Sequence, residues 1–365
     1  MKYVFLLTVS VLMLASCKKE GAPNTQPAAP SLYFPPIGST EWQTTKPEDL
    51  GWKTANLPAL YDYLQQQDTR AFLVLKDGKI VLEKYFGLTL PGNAPFEQNS
   101  MWYWASAGKT LTGFLVGKAR EEGKVDINKR VSAYIASGWS SAPLAKENLI
   151  TVRHLLTMTS GLEDAVGDPS SIQPSDLKYK ADAGTRWAYH NGPYLLLMKV
   201  LTLANVQSFS SYFDQKLKNR IGMDGQWMLN GNENLYWSTA RSMARFGILI
   251  QGKGKWDGTT ILGDTAFLTA STTTSQNINL SYGYLWWLNG KSSFMVPQSQ
   301  IVFPGEATPN APDDLIAAMG RDGQLLNIVP SKGLIVVRMR GTVNNGLVSM
   351  PLQNDMWEKL NAVMN

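Results

Sequence analysis

Cysteine is almost absent from this chain of 365 residues, and the one thiol, Cys17, stands near its start. A lone thiol builds neither a disulfide framework nor a cysteine-rich zinc site. Histidine is nearly as scarce, with His154 and His190 alone, so no histidine cluster offers itself to a metal. Charge of one sign is also lacking. The formal net charge is +5, and Lys and Arg never run more than two in a row, which argues against a nucleic-acid partner. No internal repeat is present, and nothing in the pattern calls for a cofactor or a metal. What the chain has in quantity is apolar side chains, 44% of the total. That suffices for a substantial core, in two domains or one composite one.

The first residues carry Lys2, then an apolar run from Val4 to Ala15, then Cys17. The run is shorter than the roughly 20 residues a transmembrane helix needs, so it reads as a signal peptide over 1–16. Leu14-Ala15-Ser16-Cys17 resembles the bacterial lipobox. That resemblance implies cleavage before Cys17, acylation of its thiol, and a lipid-anchored protein of the bacterial cell envelope, periplasmic or surface-exposed. An ordinary signal peptide with a stray cysteine is the alternative. The polar, Pro-rich stretch that follows, 17–40, reads as a flexible tether.

Two apolar runs rich in β-formers, Ala71–Leu75 and Ile80–Phe86, flank Lys76-Asp77-Gly78-Lys79, a strong hairpin signal. Near the other end, Leu325–Pro330 and Leu334–Gly341 flank Ser331-Lys332-Gly333, and Leu352, Met356, Leu360 and Val363 follow at near-helical spacing. Between them the pattern is mostly helical, over Lys109–Glu122, Val152–Thr157, Tyr194–Ala204 and Ser238–Gln251. These signals predict an α+β fold. Strands from both chain ends form one antiparallel sheet domain (41–100 and 271–365), flanked by N- and C-terminal helices, and 101–270 is a mostly helical domain inserted into it.

Three Ser-x-x-Lys matches occur: Ser16/Lys19, Ser106/Lys109 and Ser175/Lys178. Only Ser106 opens an apolar helical segment, with Leu111, Phe114, Leu115 and Val116, ended by Gly123. Residues three apart share a helix face, which puts Lys109 beside the Ser106 hydroxyl. Ala105, Ala107 and Gly108 leave room for a substrate. A serine at a helix N-terminus also offers its own N–H to an oxyanion. The same position equally suits an N-cap serine. Tyr189-His190-Asn191 precedes a second apolar helix. There a phenol can move a proton, and an amide can orient a carbonyl and hold the lysine; a core Tyr and a turn Asn are the plainer reading. Arg321-Asp322-Gly323 leads into a C-terminal strand. A cation there can face a substrate, Gly323 can let the substrate backbone lie close, and the N–H of Gln324 can complete an oxyanion hole. A surface turn is the alternative.

In their order, Ser106-x-x-Lys109, Tyr189-x-Asn191 and Arg321-x-Gly323 resemble the motifs of the serine β-lactamase and penicillin-binding protein superfamily. The likeness is to its class C-like branch of esterases, D-aminopeptidases and amide hydrolases of the 6-aminohexanoate-dimer type. Ile150–Leu162, Ser238–Trp256 and Tyr282–Leu288 match that branch as well, so the resemblance spans about residues 40–365. It implies a site between a sheet domain and a helical domain. Ser106 is the nucleophile, Lys109 and Tyr189 manage its proton, and Asn191, Arg321, Asp322 and Gly323 bind a small ester, amide or peptide. Two departures stand out. The usual Lys-Thr-Gly, or His-x-Gly of the esterases, is Arg321-Asp322-Gly323, and the middle residue of the second motif is His190, which has no evident role. Pairing of Asp322 with Arg321 would leave little net charge for a substrate carboxylate, so uncharged short-chain esters or small amides are expected to react better than β-lactams. A sensor that acylates without turnover is the competing reading. A Ser-His-Asp hydrolase is disfavoured, because no Gly-x-Ser-x-Gly elbow is present and His154 reads as a packed structural residue.

The lipobox reading is tested by palmitate labelling of the wild type and of Cys17→Ala. Label is expected on the first and not on the second. Equal labelling, or none in either, overturns it.

Overall fold

Lys76-Asp77-Gly78-Lys79 sets two residues tolerant of positive φ between strand-forming runs, and the chain turns back there. After helix α1 (Leu57–Gln66), strand β1 (Thr69–Lys76) reverses into β2 (Lys79–Tyr85), with Asp77 at φ 49° and Gly78 at φ 83°. The computed structural model describes residues 31–205, 207–341 and 348–365, together with Met1 and Tyr3. Cys17 and its lipobox-like neighbours lie outside the described residues. Leu32–Asn365 forms one unit.

Next along the chain come strand β3 (Trp102–Tyr103), helix α2 (Lys109–Glu121), helix α3 (Asn191–Asn205), strands β4 (Gln226–Asn230) and β5 (Glu233–Ser238), and helix α4 (Ala240–Gln251). The C-terminal part supplies β6 (Trp287–Leu288), β7 (Ile316–Gly320), β8 (Gln324–Val329), β9 (Leu334–Arg340) and helix α5 (Met350–Met364). Six strands pair in the order β2-β1-β9-β8-β7-β6, each pairing antiparallel. The two chain ends therefore share one sheet, as their matching hairpins predict.

β8 is buried along its whole length, because helices cover both faces. Successive side chains of a strand point to opposite faces. Leu326 lies under Gly247 of α4, whereas Asn327 takes the Trp357 indole N–H of α5 at 2.8 Å. α1 packs on α5 and on β1. α4 thus belongs to the sheet's own layers, although it comes from the middle of the chain that the helical pattern sets apart. That middle also holds strands. β3, β5 and β4 form a three-stranded sheet in the order β3-β5-β4, and the β4–β5 hairpin turns through Gly231-Asn232 between the paired Asn230 and Glu233, a Gly-Asn turn signal.

The turn Ala105–Gly108 lies between the small sheet and β7. Trp104, fully buried, anchors it: its backbone N–H donates to the Tyr236 carbonyl at 2.8 Å and its indole N–H to Ser238 Oγ at 2.7 Å. On the other side Gly320 closes β7 against the same turn. A Cβ there would stand 2.5 Å from the Trp104 carbonyl oxygen, 3.0 Å from Ala105 Cβ and 3.1 Å from the Ala107 nitrogen. Backbone atoms cannot step aside singly, so Gly320→Ala should destabilise the protein by about 1–3 kcal/mol, as overpacking does. Urea unfolding measures that loss. The reactivity of Ser106 should fall in the refolded variant as well, because the displaced atoms belong to its own turn.

Candidate active site

Ser106 sits in this short 3-10 turn, immediately before α2. Ala105 just ahead of it holds φ at 48°, a left-handed conformation that a residue with a Cβ adopts at a cost of order 1 kcal/mol. Three residues on, Lys109 is the first residue of α2, and its Nζ donates to Ser106 Oγ at 2.9 Å. The pairing is a local consequence of helical spacing.

Burial governs the chemistry of Lys109. The residue is 5% exposed, and removal from water disfavours its charged form. Its pKa is lowered to about 7, chiefly by burial; Glu233 opposes the shift and Arg321 adds to it. The Nζ lies 4.5 Å from the Tyr194 ring centroid and 5.2 Å from that of Tyr189. Those π faces favour the ammonium, yet desolvation outweighs them. Near neutral pH a large fraction of Lys109 is therefore a neutral amine with a lone pair for the Ser106 proton.

Tyr189 behaves oppositely. Burial raises its pKa well above that of an ordinary phenol, although its hydrogen bond with Ser106 pulls the other way. It stays protonated, so of the two groups Lys109 is the one able to accept a proton, and Tyr189 offers a hydroxyl that can pass one. The Tyr189 ring is stacked on Trp287 of β6, with centroids 5.6 Å apart and planes at 22°, and meets Tyr282 edge-on at 6.2 Å.

Asn191 opens α3. Its Nδ2 donates to Ser170 Oγ and to Glu233 Oε1, each at 3.1 Å. A carboxylate only accepts, so the amide nitrogen must face Glu233. The buried Oδ1 has no partner among the described residues. Arg321, in the turn between β7 and β8, pairs with Glu233 Oε2 at 3.0 Å. Ser106, Lys109, Asn191, Glu233 and Arg321 line one narrow cavity, with Tyr194 and Trp227 in its wall.

Other sequence-based expectations fall elsewhere. Asp322 does not pair with Arg321; it turns inward at φ 64°, is 3% exposed, and accepts the Tyr103 hydroxyl at 2.8 Å. Gly323 is crowded by the protein itself, since a Cβ would lie 2.4 Å from Leu352 Cδ2 and 3.0 Å from an Arg338 guanidinium nitrogen. Gln324 is fully buried in the β7–β8 ladder opposite Gly320, and its side chain bonds the Arg340 backbone. Asp322, Gly323 and Gln324 are not among the residues lining the cavity. Ser175 and Lys178 are both exposed. His154 closes a capping box with Thr151, a structural role as expected. His190 is 1% exposed, and burial lowers its pKa to about 4, so it is neutral at physiological pH. Glu233, Tyr194 and Ser170 went unnoticed in the sequence. The Gly231-Asn232 hairpin signal would have located Glu233, but not its direction.

A sequence model of the family described as Beta-lactamase matches residues 62–342. The D-alanyl-D-alanine-carboxypeptidase/endopeptidase AmpH of Escherichia coli (strain K12) is 29% identical over 166 residues, covering 41% of this chain and 43% of that protein. The chain thus spans less than half the length of that relative. Among solved structures, a penicillin-binding protein homolog from Caulobacter crescentus is similar with a TM-score of 0.66 at 13% identity, over 84% of this chain and 97% of that one. The penicillin binding protein from Bacillus halodurans gives 0.59 at 17%, over 83% and 99%. At such identities the likeness concerns the fold, and it agrees with the α+β architecture described above.

The lowered proton affinity of Lys109 makes the reactivity of Ser106 depend on pH. The amine is neutral above its folded-state pKa and charged below it. Labelling of Ser106 by a neutral fluorophosphonate should therefore rise with pH through an inflection near 7. Lys109→Arg, charged throughout, should label slowly and without that inflection. A wild-type rate that does not change between pH 5 and 9 would contradict Lys109 as the base.

Proposed function

The chain belongs to the beta-lactamase family, and from that premise we propose that it is a serine hydrolase acting on small esters or amides through an acyl-enzyme at Ser106. The observation that carries this reading is the Lys109 amine 2.9 Å from Ser106 Oγ in a water-poor setting. The neutral amine takes the hydroxyl proton as Oγ attacks the substrate carbonyl carbon. The ammonium so formed returns that proton to the leaving alcohol or amine, directly or through the Tyr189 hydroxyl, and the bond to the leaving group breaks. Water then attacks the ester of Ser106 with the same base, releasing the acid and restoring the serine. Every proton is accounted for within these three residues.

The cavity is narrow, with about 20 Å³ open to a water-sized sphere, which favours a short acyl group over a bulky one. Attachment to the cell envelope through Cys17 belongs to the same proposal. Among the described residues no helix is long and apolar enough to cross a membrane. The likeness to AmpH favours a second substrate class, peptides ending in D-alanine, which belongs in the same screen as the esters.

Ser106→Ala should abolish both acylation and turnover of a p-nitrophenyl ester, whereas Ser175→Ala should do neither. Lys109→Ala and Tyr189→Phe should each slow the reaction by about 10²–10⁴, the range for losing acid–base help. Their double variant should fall little further, because the groups act as one unit. Stoichiometric acylation of the wild type without turnover would point to a sensor. Near-wild-type activity in Ser106→Ala would refute the assignment.

A further inference from the structure

Glu233 occupies a place in the cavity that nothing in the proton-transfer scheme uses. It stands at the start of β5, directly after the turn of the β4–β5 hairpin. The hairpin is tied down beside it, since Asn232 Nδ2 donates to Asp168 Oδ2 at 2.6 Å and Ser170 Oγ donates to Glu233 Oε1 at 3.3 Å. From this position one carboxylate engages two groups of the cavity wall at once. Oε2 holds the Arg321 guanidinium at 3.0 Å, and Oε1 accepts the Asn191 amide at 3.1 Å. The Glu233 side chain is 21% exposed and that of Arg321 41%, so the pair sits at the open side of the site.

A guanidinium in a cavity wall is a natural anchor for a substrate carboxylate, which it can grip through a fork of N–H donors. Here an internal carboxylate already holds it. An acyl group that brings its own negative charge must displace Glu233 from Arg321 or lie beside an unpaired like charge, and either course is unfavourable. The Asn191 amide nitrogen is engaged by the same oxygen set, which leaves the Asn191 carbonyl as the free polar atom of that side chain. The wall therefore presents acceptors and a neutralised cation.

We infer that Glu233 is a specificity-determining residue that makes the site select acyl groups without a negative charge. This rests on the acyl-enzyme reading of Ser106. The reciprocal roles of the two partners make it testable in both directions. Glu233→Gln keeps the shape and frees Arg321, so anionic acyl groups gain. Arg321→Gln leaves the Glu233 charge without its cation, so they lose.

The test compares a matched pair of activated esters, p-nitrophenyl butyrate and p-nitrophenyl hemisuccinate, in the full chain. The second-order rate of Ser106 acylation is read from nitrophenolate release and from the mass of the adduct, so a protein that acylates without turnover still reports. The ratio of anionic to neutral rates should rise about tenfold in Glu233→Gln, equivalent to about 1.4 kcal/mol, and should fall in Arg321→Gln. Each variant is first shown to unfold cooperatively, and either one alone decides the sign. A ratio within twofold of wild type in both, or one that moves oppositely, overturns the role of Glu233 and leaves the hydrolase reading intact. An absence of adduct on wild-type Ser106 with both esters overturns the hydrolase reading itself, and this inference with it.

Discussion

Removal of the Lys109 amine from water is the constraint on which the site depends. An ordinary lysine is an ammonium at neutral pH and cannot take a proton from a serine. Burial at the start of α2 brings its pKa to about 7, within reach of the working range of a base. The helix that carries it is buried almost throughout, from Lys109 to Gly117. The unfavourable desolvation of one amine is thus offset by the apolar contacts of the whole helix. Glu233 and Arg321 act on the amine in opposite senses, so the dry setting, rather than any single charge, sets the balance.

The contact between Lys109 and Ser106 persists only if the serine stays in place. Ser106 is held from two sides that belong to different parts of the fold. Trp104 fastens its turn to the small sheet, and Gly320 brings β7 of the large sheet into backbone contact with it. Tyr189 reaches the same hydroxyl while stacked on Trp287 of β6. Residues far apart in the chain therefore agree on the position of one oxygen. The left-handed Ala105 fits this picture: strain at a single residue persists when the surroundings over-determine its conformation.

Charge in the cavity follows from the same geometry. The sequence offers Arg321 one neighbouring carboxylate, Asp322, and the fold supplies another, Glu233. Asp322 turns into the body toward Tyr103, and Glu233 arrives from a hairpin on the other side. The expectation that the cation would be neutralised survives, but with a different partner. That change matters because Glu233 also orients Asn191, which couples the charge of the wall to its hydrogen-bonding face.

Much of this was legible in the sequence, for reasons of range. The hairpin at Asp77-Gly78, the paired C-terminal strands, the last helix and the Ser106–Lys109 contact are encoded by neighbours a few residues apart, where backbone preference and side-chain period act directly. The order of three short motifs carried the family and hence the fold. Tertiary structure alone decided what depends on distant encounters. Tyr103 meets Asp322 across 219 positions and Asn191 meets Glu233 across 42, and α4 leaves the helical middle to cover the sheet. Gly323 reads as room for a substrate until Leu352 and Arg338 are found against it. The sequence states which residues can bear a charge, bend the chain or fill a core. Which of two carboxylates meets Arg321 is settled by where the backbone aims each side chain, and that direction exists only once the strands have paired.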